Sequence, residues 1–497
     1  ELAMIRPELK ANEIRTNAFR PTDVDIDARG YLYLASWVNG GFEAGDKCGV
    51  IFRMHPKDHV PAKLPDFAKA TPTELAELML SPSHRTRLEA QRVLLRRGAD
   101  GPALRSLEKI VADHAASLES RVAALFTLRQ AGGPKSFAFL AQAAADPSVA
   151  AWAIRALADD ERLAAHVPEG PILAGLRSPD ARVRREAIFA VSRLGRPKLA
   201  GQLAPALEDA DAVVAHTAFR ALAKLGAGEV CLAVLDDAAA SPAKRTGALR
   251  ALQTMHDPKV TDGLIGRLGQ ENDPRRRRDL LSVLCRLYNT EGEWAGDSWG
   301  TRPDSRGPYY QPEPWAESPK IADAIQRTMA QLDAAEAAWL GGELARQRAN
   351  LKDATRQLLA RAAQDPAVLP SLFRGLADGD DVPAAALPLL IRAATEKQTD
   401  PKLRTLAIIA LTKTDSREAF VAVVEGMTQN CHEGIHAARR AFHAARHLEN
   451  HVELFVATAN SDRPTARIAE EAVMLLAGRV FGAPEARAAA LAALDEN

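Results

Sequence analysis

Five of the chain's twelve histidines lie close together near its C-terminal end. Histidines at positions i and i+4 of one helix can chelate a transition metal, and a histidine stripe on a surface can also contact a haem. The alternative is a solvated polar face, because no carboxylate lies on the same stripe. The proposed metal ligands fall within about 60° of one another if a single helix runs through all four: His432, His436, His443 and His447.

A second candidate site is a Gly- and Pro-rich segment that holds three of the six tryptophans and two of the five tyrosines. Long ordered loops are often functional, and aromatic and arginine side chains dominate binding hot spots. The alternative is that the tryptophans pin the loop against neighbouring helices. The residues predicted to bind a ligand or partner are Trp294, Trp299, Arg302, Arg306, Tyr309, Tyr310 and Trp315.

Two groups of charged residues are further candidates, each with a structural alternative. The run Arg275–Arg278 can contact phosphate or an acidic partner. Adjacent residues point to different faces of a helix, so we interpret the run as part of the helical pattern. Asp23, Asp25 and Asp27 alternate along one strand face and can bind calcium, although a structural role is the preferred interpretation.

Several familiar catalytic and cofactor motifs do not occur in the sequence. Its four cysteines lie far apart, without CxxC, CxxCH or zinc-ligand spacing. No glycine-rich phosphate loop, GxSxG or HExxH occurs either. We therefore predict no catalytic residue and no cofactor in this chain, apart from the possible metal or haem contact at the histidines.

Charge and hydropathy exclude two classes of partner. Lys plus Arg and Asp plus Glu number 64 each, so no whole-chain field favours nucleic acid. No apolar run approaches the length of a membrane span. The chain begins at Glu1 without a visible signal peptide, which we interpret as a processed or truncated end.

The elements that must position these residues recur about every 31 residues, each with an alanine near its centre. The clearest units are Asp180–Gly195 and Asp211–Gly226, and they resemble bacterial HEAT-like repeats. Such a period is typical of one supersecondary unit stacked many times. The sequence therefore predicts a mainly α protein, an α-solenoid of HEAT-like helical repeats. The central alanines are Ala90, Ala124, Ala156, Ala187, Ala218 and Ala248, then Ala407, Ala437 and Ala469.

The first residues follow a different pattern. Gly30–Trp37 and Gly49–Met54 are rich in Tyr, Val, Ile and Phe and read as strands. A tight turn is expected at Asp27–Gly30, where Gly30 supplies a positive φ. Two or three strands cannot bury a face alone, so we expect them to pair with something else.

The predicted organisation has five parts. A β segment over residues 1–62 precedes a HEAT-like array over 63–289, and the aromatic loop follows over 290–320. An irregular helical segment over 321–364 leads to a second array with a C-terminal cap over 365–497.

A resemblance to a known family covers the β segment and the loop. FRPTDVDIDARGYLYLASW (Phe19–Trp37) and GVIFRM resemble the last blade of a sugar-dehydrogenase-like β-propeller. WGTRPDSRGPYY resembles a block between HEAT repeats in the same large planctomycete- and verrucomicrobia-type secreted proteins. Those proteins join a propeller, HEAT repeats and a cytochrome-c-like haem domain. This chain departs from the pattern at Arg29 and Ser36, and it has neither an upstream propeller nor CxxCH.

Together these observations predict a non-catalytic scaffold or docking platform. The resemblance implies an extracytoplasmic carbohydrate-related assembly and a periplasmic or secreted location. One alternative is part of a quinone- or haem-linked sugar dehydrogenase, with its catalytic propeller and haem module outside this chain. Another is a ligand-binding module that uses the aromatic loop. The expected partners are a protein, or a missing propeller portion that pairs with the N-terminal strands, and a carbohydrate.

Overall fold

The computed structural model describes residues 2–4, 20–37, 49–296, 300–362, 364–379, 382–428, 441, 445 and 448–451. The chain forms two compact units. Unit 1 comprises Glu1–Val230 and Asp237–Gly247, and unit 2 comprises Cys231–Asp236 and Ala248–Asn497. No helix in the described ranges is long and apolar enough to cross a membrane.

Unit 1 begins with a four-stranded antiparallel sheet in the order β1-β4-β3-β2. The inward-facing Val50 and Phe52 of the last strand are 2% and 4% exposed. The expected pairing partner of the central strands is thus supplied in part by the chain itself, through its first strand. The strands are β1 (Leu2–Met4), β2 (Arg20–Ile26), β3 (Leu32–Trp37) and β4 (Gly49–Met54).

The turn between β2 and β3 confirms the prediction at Asp27–Gly30. Gly30 has φ +89°, a conformation that favours glycine. The Asp27 carboxylate accepts hydrogen bonds from the backbone N–H groups of Arg29 and Tyr31, both at 2.9 Å. Arg85 of the helical part donates to the carbonyl of Ile26 and pairs with Asp25. The alternating aspartates therefore have structural roles at Asp25 and Asp27.

Helices make up the rest of unit 1. They are α1 (Pro72–Glu77), α2 (His84–Arg97), α3 (Gly101–Ala112), α4 (Leu118–Gly132), α5 (Phe137–Ala143), α6 (Ala150–Leu157), α7 (Glu169–Leu176), α8 (Ala181–Arg193) and α9 (Ala212–Lys224). Short 3-10 helices lie between them at Leu78–Leu80, Gly133–Ser136, Glu161–His166 and Pro197–Glu208. Two helices contribute residues to both units: α10 (Gly228–Asp236) and α11 (Pro242–Leu252).

Unit 2 continues with helices and one small two-stranded sheet. The helices are α12 (Pro258–Leu268), α13 (Pro274–Leu287), α14 (Ser318–Gln331), α15 (Ala334–Arg346), α16 (Lys352–Ala362), α17 (Leu369–Asp378), α18 (Leu387–Thr395), α19 (Pro401–Leu411) and α20 (Arg417–Thr428). The strands are β5 (Asn289–Glu291) and β6 (Pro312–Pro314). Short 3-10 helices lie at Pro366–Val368, Ala384–Ala386 and Leu448–His451.

The central alanines mark the core of the stack. Those in the described residues are fully buried, with 0% exposure: Ala90, Ala124, Ala156, Ala187, Ala218, Ala248 and Ala407. Alanine is a strong helix former whose small side chain allows close helix packing. Ala437 and Ala469 lie outside the described residues, as does the predicted C-terminal cap. The predicted α-solenoid of HEAT-like repeats with a small N-terminal β segment is confirmed.

Several helix starts are set by a local signal. Asp180 and Asp211 are N-caps whose side chains accept hydrogen bonds from backbone N–H groups of the first turn. Thr71 is the N-cap of α1 and forms a capping box with Glu74, and Pro72 takes the first helical position.

An arginine four residues after the N-cap, buried or half-buried, ties neighbouring helices together. Arg184 donates two hydrogen bonds to the Asp209 carboxylate at 2.7 and 2.8 Å. Arg121, which is 4% exposed, donates to Val111 O at 2.8 Å and to Asp146 at 2.5 Å. Desolvation opposes ionisation of Asp146, but hydrogen bonds from Ser148 and Arg121 outweigh it and lower its pKa to about 2. The arginines at this position are Arg87, Arg121, Arg184, Arg245, Arg277 and Arg404.

Candidate functional site

A buried arginine fixes the aromatic loop of unit 2. Arg286, at the end of α13, is 7% exposed and donates to the carbonyl oxygens of Gly307 and Ser305. Its guanidinium carbon lies 3.5 Å from the centre of the Tyr309 ring, a cation–π contact. Desolvation lowers the pKa of Arg286, although an arginine stays protonated in proteins. The positive charge therefore fixes the loop through two backbone carbonyl groups and an aromatic ring.

A ring contact and a hydrogen bond also attach the loop to neighbouring parts of unit 2. The rings of His256 and Trp315 are edge-to-face at 5.1 Å, and Trp315 Nε1 donates to the carbonyl of Leu287 at 2.6 Å. His256 Nε2 lies 2.8 Å from the carbonyl oxygen of Asn289, which assigns the proton to Nε2. Burial lowers the pKa of His256 from 6.5, so the ring is neutral at pH 7.

The short sheet completes this fixation. β5 pairs antiparallel with β6, and Asn289 lies opposite Pro314. The carboxylate of Glu291 accepts hydrogen bonds from the backbone N–H groups of Tyr310 and Gln311 at 2.9 and 2.7 Å. This segment of the loop is an ordered part of unit 2.

Arg348 also fixes the loop, through hydrogen bonds to two of its backbone carbonyl groups. It follows α15 with φ +55°, and it is the one non-glycine residue at positive φ among the described residues. Its Nη1 donates to the carbonyl oxygens of Tyr309 and Tyr310 at 2.9 and 3.0 Å. Its own carbonyl accepts from Asn289 Nδ2 at 3.1 Å. These contacts compensate for a backbone conformation that costs a non-glycine residue about 1 kcal/mol or more.

A polar groove of about 940 Å³ lies next to the aromatic loop, and we call it the loop groove. Arg374 and the Asn350 amide project from two different segments and make no hydrogen bond or ion pair with another described residue. Arg346 also lines the groove but is paired with the buried carboxylate of Glu343. The lining residues are Tyr288, Asn289, Pro312, Pro314, Gly342, Ala345, Arg346, Arg348, Asn350, Arg374, Ala377 and Asp378.

One carboxylate faces the cations of the loop groove. Desolvation raises the pKa of Asp378, against the opposing effect of Arg374, Lys413 and Arg348. Its side chain is exposed to the groove. The groove thus offers one carboxylate beside several arginine and amide donors, which suits a polar, hydrogen-bonding ligand.

The residues predicted to bind a ligand differ in accessibility. Tyr309 is 7% exposed, and Trp294, Tyr310 and Trp315 are half-buried. Arg302 and Arg306 are exposed. Arg306 pairs with Asp304, and its hydrogen bonds lower the pKa of the Asp304 carboxyl to about 2. Trp299 lies outside the described residues. The structure brings the rings of Tyr309 and Trp315 together around His256. Tyr309, Tyr310 and Trp315 are not among the residues that line the loop groove.

The predicted metal ligands His432, His436, His443 and His447 lie outside the described residues, so the metal or haem contact stays a prediction. Within the described residues, no group of three or more His, Cys, Asp or Glu side chains is arranged to hold a metal ion. Cys231 and Cys285 are buried, and burial raises the pKa of the Cys231 thiol to about 12.

The sequence did not predict the contacts of Arg286 and Arg348 with the aromatic loop, nor the loop groove. Arg286 carried a usable signal, because it lies between the buried residues Cys285 and Leu287 of an apolar helix end. A charge in such a position implies a specific buried partner. His256, Arg348, Asn350 and Arg374 carried no such signal, since their partners and surroundings come from distant parts of the chain.

Comparisons with known proteins agree with the helical architecture. Residues 170–246 match the family model for HEAT repeats. No curated protein sequence matches the chain. Among solved structures, the karyopherin Kap121p bound to the SUMO protease Ulp1p matches with a TM-score of 0.55 and 12% identity. That match covers 81% of this chain and 49% of the Kap121p chain.

Two further Kap121p structures match to a similar degree. The complex with Nup53p has a TM-score of 0.52, 13% identity and coverage of 86% and 51% of the two chains. The complex with the extreme C-terminus of the protein phosphatase Cdc14p has a TM-score of 0.51 and 14% identity. That match covers 81% of this chain and 49% of the Kap121p chain. At these identities the likeness shows the fold alone. The chain is a HEAT-like α-solenoid that spans about half the length of these structures.

The resemblance to a propeller–HEAT–cytochrome protein is wrong. The matches are to HEAT repeats and to helical karyopherin structures, and none of them supports a propeller, a sugar dehydrogenase or a cytochrome c domain. The motif behind the resemblance, with its Asp-capped turn and Gly30, is local hairpin chemistry. Such chemistry serves any antiparallel sheet and does not specify a blade.

Proposed function

We propose that this chain is a non-catalytic HEAT-repeat scaffold that docks a protein partner in the loop groove of unit 2. The observation that carries the proposal is the groove itself, where the uncommitted Arg374 and Asn350 face an opening beside a clamped loop. A rigid site loses less conformational entropy on binding than a mobile loop would.

The fold supports the same function. Kap121p, which this chain resembles in fold, has been solved in complex with protein partners. Stacked helical repeats present extended surfaces of the kind that such proteins use for binding. The carbohydrate-related setting and the dehydrogenase alternative rested on the propeller resemblance and are not part of this proposal. The periplasmic or secreted location stays an untested prediction.

Site-specific photo-crosslinking tests the proposal. A photo-reactive amino acid replaces Arg374 in one full-length variant and the exposed Arg356 of α16 in a matched control. We expect position 374 to capture a protein in the native host that position 356 does not. The captured protein, once purified, should bind the wild-type chain, and Arg374→Glu should weaken binding at least about tenfold while Arg356→Glu does not.

Two outcomes would contradict the scaffold proposal. One is identical capture from both positions. The other is a captured protein whose affinity Arg374→Glu leaves unchanged in a variant with a wild-type unfolding midpoint.

A further inference from the structure

The exposed side of three adjacent helices in unit 1 carries arginines around an apolar shelf. Helices α6, α8 and α9 lie side by side, and their outward residues border a cleft of about 430 Å³. We call this surface the arginine face. Its residues used below are Arg155, Arg185, Phe189, Arg193 and Val213.

The apolar shelf is exposed. Phe189 of α8 is 47% exposed and Val213 of α9 is 54% exposed, and both line the same cleft. A single exposed hydrophobic residue is ordinary in a soluble protein. Two on neighbouring helices at one cleft form a surface whose covering by a partner would be favourable by about 25 cal/mol per Å² of apolar area.

The polar rim of the cleft is mainly cationic. Arg155 makes no hydrogen bond or ion pair with another described residue. Arg185 pairs with Glu186 at 2.8 Å, but its Nε is buried without a hydrogen-bond partner among the described residues. Arg193 contacts Asp159 at 3.5 Å in a pair that is more than 40% exposed, so the pair is weak. Three guanidinium groups thus line the cleft beside one carboxylate, that of Glu186.

We propose that the arginine face binds an extended acidic protein segment that carries a large apolar side chain. Carboxylates pair with the forked donors of arginine in a bidentate way. The apolar side chain would cover Phe189 and Val213. Helix axes pack about 8–10 Å apart, so the axes of α6 and α9 lie about 16–20 Å from each other and an extended segment of about six residues spans them.

A protein fits this surface better than a nucleic acid does. Tight nucleic-acid binding rests on about six to ten phosphate contacts, whereas three arginines line this cleft. The chain has no net positive charge to attract a polyanion. The apolar shelf instead favours a ligand with an apolar side chain between its charges. The surface differs from the loop groove, so the inference stands or falls independently of the proposed function.

Fluorescence anisotropy with the full chain tests the inference. The labelled probes are a peptide of about twelve residues rich in Asp and Glu with a central Phe, the same peptide with Ser for Phe, the same peptide with Asn and Gln for its acids, and a single-stranded RNA. We expect saturable binding of the first peptide that weakens with salt. Each altered peptide should bind at least about tenfold more weakly.

The variants place the site. Arg155→Glu with Arg193→Glu should weaken binding of the acidic peptide at least about tenfold, whereas two charge reversals at the exposed Arg92 and Arg105 should not. Phe189→Ser should reduce the preference for the Phe peptide over its Ser form. Thermal unfolding midpoints check that each variant is folded.

Three results would overturn the inference. The first is binding of the acidic peptide that is unchanged by Arg155→Glu with Arg193→Glu in a folded variant. The second is RNA binding at this face without peptide binding. The third is no binding of the acidic peptide at concentrations up to about 1 mM, where even a weak complex of about 4 kcal/mol would be half formed.

Discussion

At the scale of single residues, buried arginines take partners that lie far along the chain. Arg121 reaches across 25 positions to Asp146, and Arg184 reaches Asp209 over the same separation. A buried arginine is costly unless most of its donors are satisfied. The pair Arg121–Asp146 is thus a tie between neighbouring repeats whose strength depends on the ionisation of the carboxylate.

This tie predicts a pH-dependent loss of stability. The folded pKa of Asp146 is about 2, and the ordinary unfolded value is 3.8. A lowered folded pKa stabilises the protein above the unfolded pKa, and that contribution disappears as pH falls from about 4 to about 2. Asp146→Asn should therefore cost about 2 kcal/mol at pH 7 and progressively less below pH about 4.

Urea unfolding of wild type and Asp146→Asn, followed by circular dichroism across this pH range, measures the difference. Asp58→Asn, at an exposed position, controls for the loss of one surface charge. A gap between wild type and Asp146→Asn that stays constant from pH 7 to pH 3 would contradict the assignment.

At the scale of elements, alanine sets how closely helices approach. Ala187 of α8 is fully buried, and a Cβ added to Gly175 of α7 would lie 3.0 Å from the Cβ of Ala187. The same added atom would lie 2.6 Å from Ile154 Cδ1 of α6. The crossing of these helices leaves no room for a larger side chain.

Ala187→Leu should consequently overpack the contact between α7 and α8. We expect a loss of about 1–3 kcal/mol in the free energy of unfolding. Ala212→Leu introduces the same side chain at an exposed helix start and should change it by about 0.5 kcal/mol or less. Equal effects of the two substitutions in chemical denaturation would show that the packing is looser than described.

At the scale of the whole molecule, the structure is built from local contacts. In a repeat stack each repeat contacts the repeats next to it, so the structural effect of a substitution is expected to stay close to the substituted residue. Unit 1 contains most of the residues that match the HEAT-repeat family, and unit 2 contains the aromatic loop. The two proposed binding surfaces can therefore be perturbed separately.

Hydrogen exchange can measure this locality. Ala187→Leu should speed amide exchange in α7, α8 and α9 while leaving α15 and α17 unchanged. Arg286→Met removes the charge under the aromatic loop and should speed exchange over residues 300–317 without affecting α8 or α9. Faster exchange throughout the chain in either variant would mean that the molecule opens as one cooperative body.

The sequence by itself determined the repeat period, the helix starts that have a capping side chain and the N-terminal hairpin. These features depend on interactions within a few residues, such as the Asp180 cap, the Thr71 capping box and the positive φ of Gly30. It could not determine the family of the β segment, because a hairpin motif of that length serves many sheets. The predicted aromatic loop proved ordered around Tyr309 and Trp315.

Only the tertiary structure decided which charges meet and which stay free. Arg348 reaches a loop 38 and 39 positions away, and Arg278 pairs with Glu336 across 58 positions. No local pattern encodes such pairings, since many arginines share the same helical environment and packing selects among them. The same packing left Arg374 and Arg155 without partners in the described chain, and there we place the two binding surfaces.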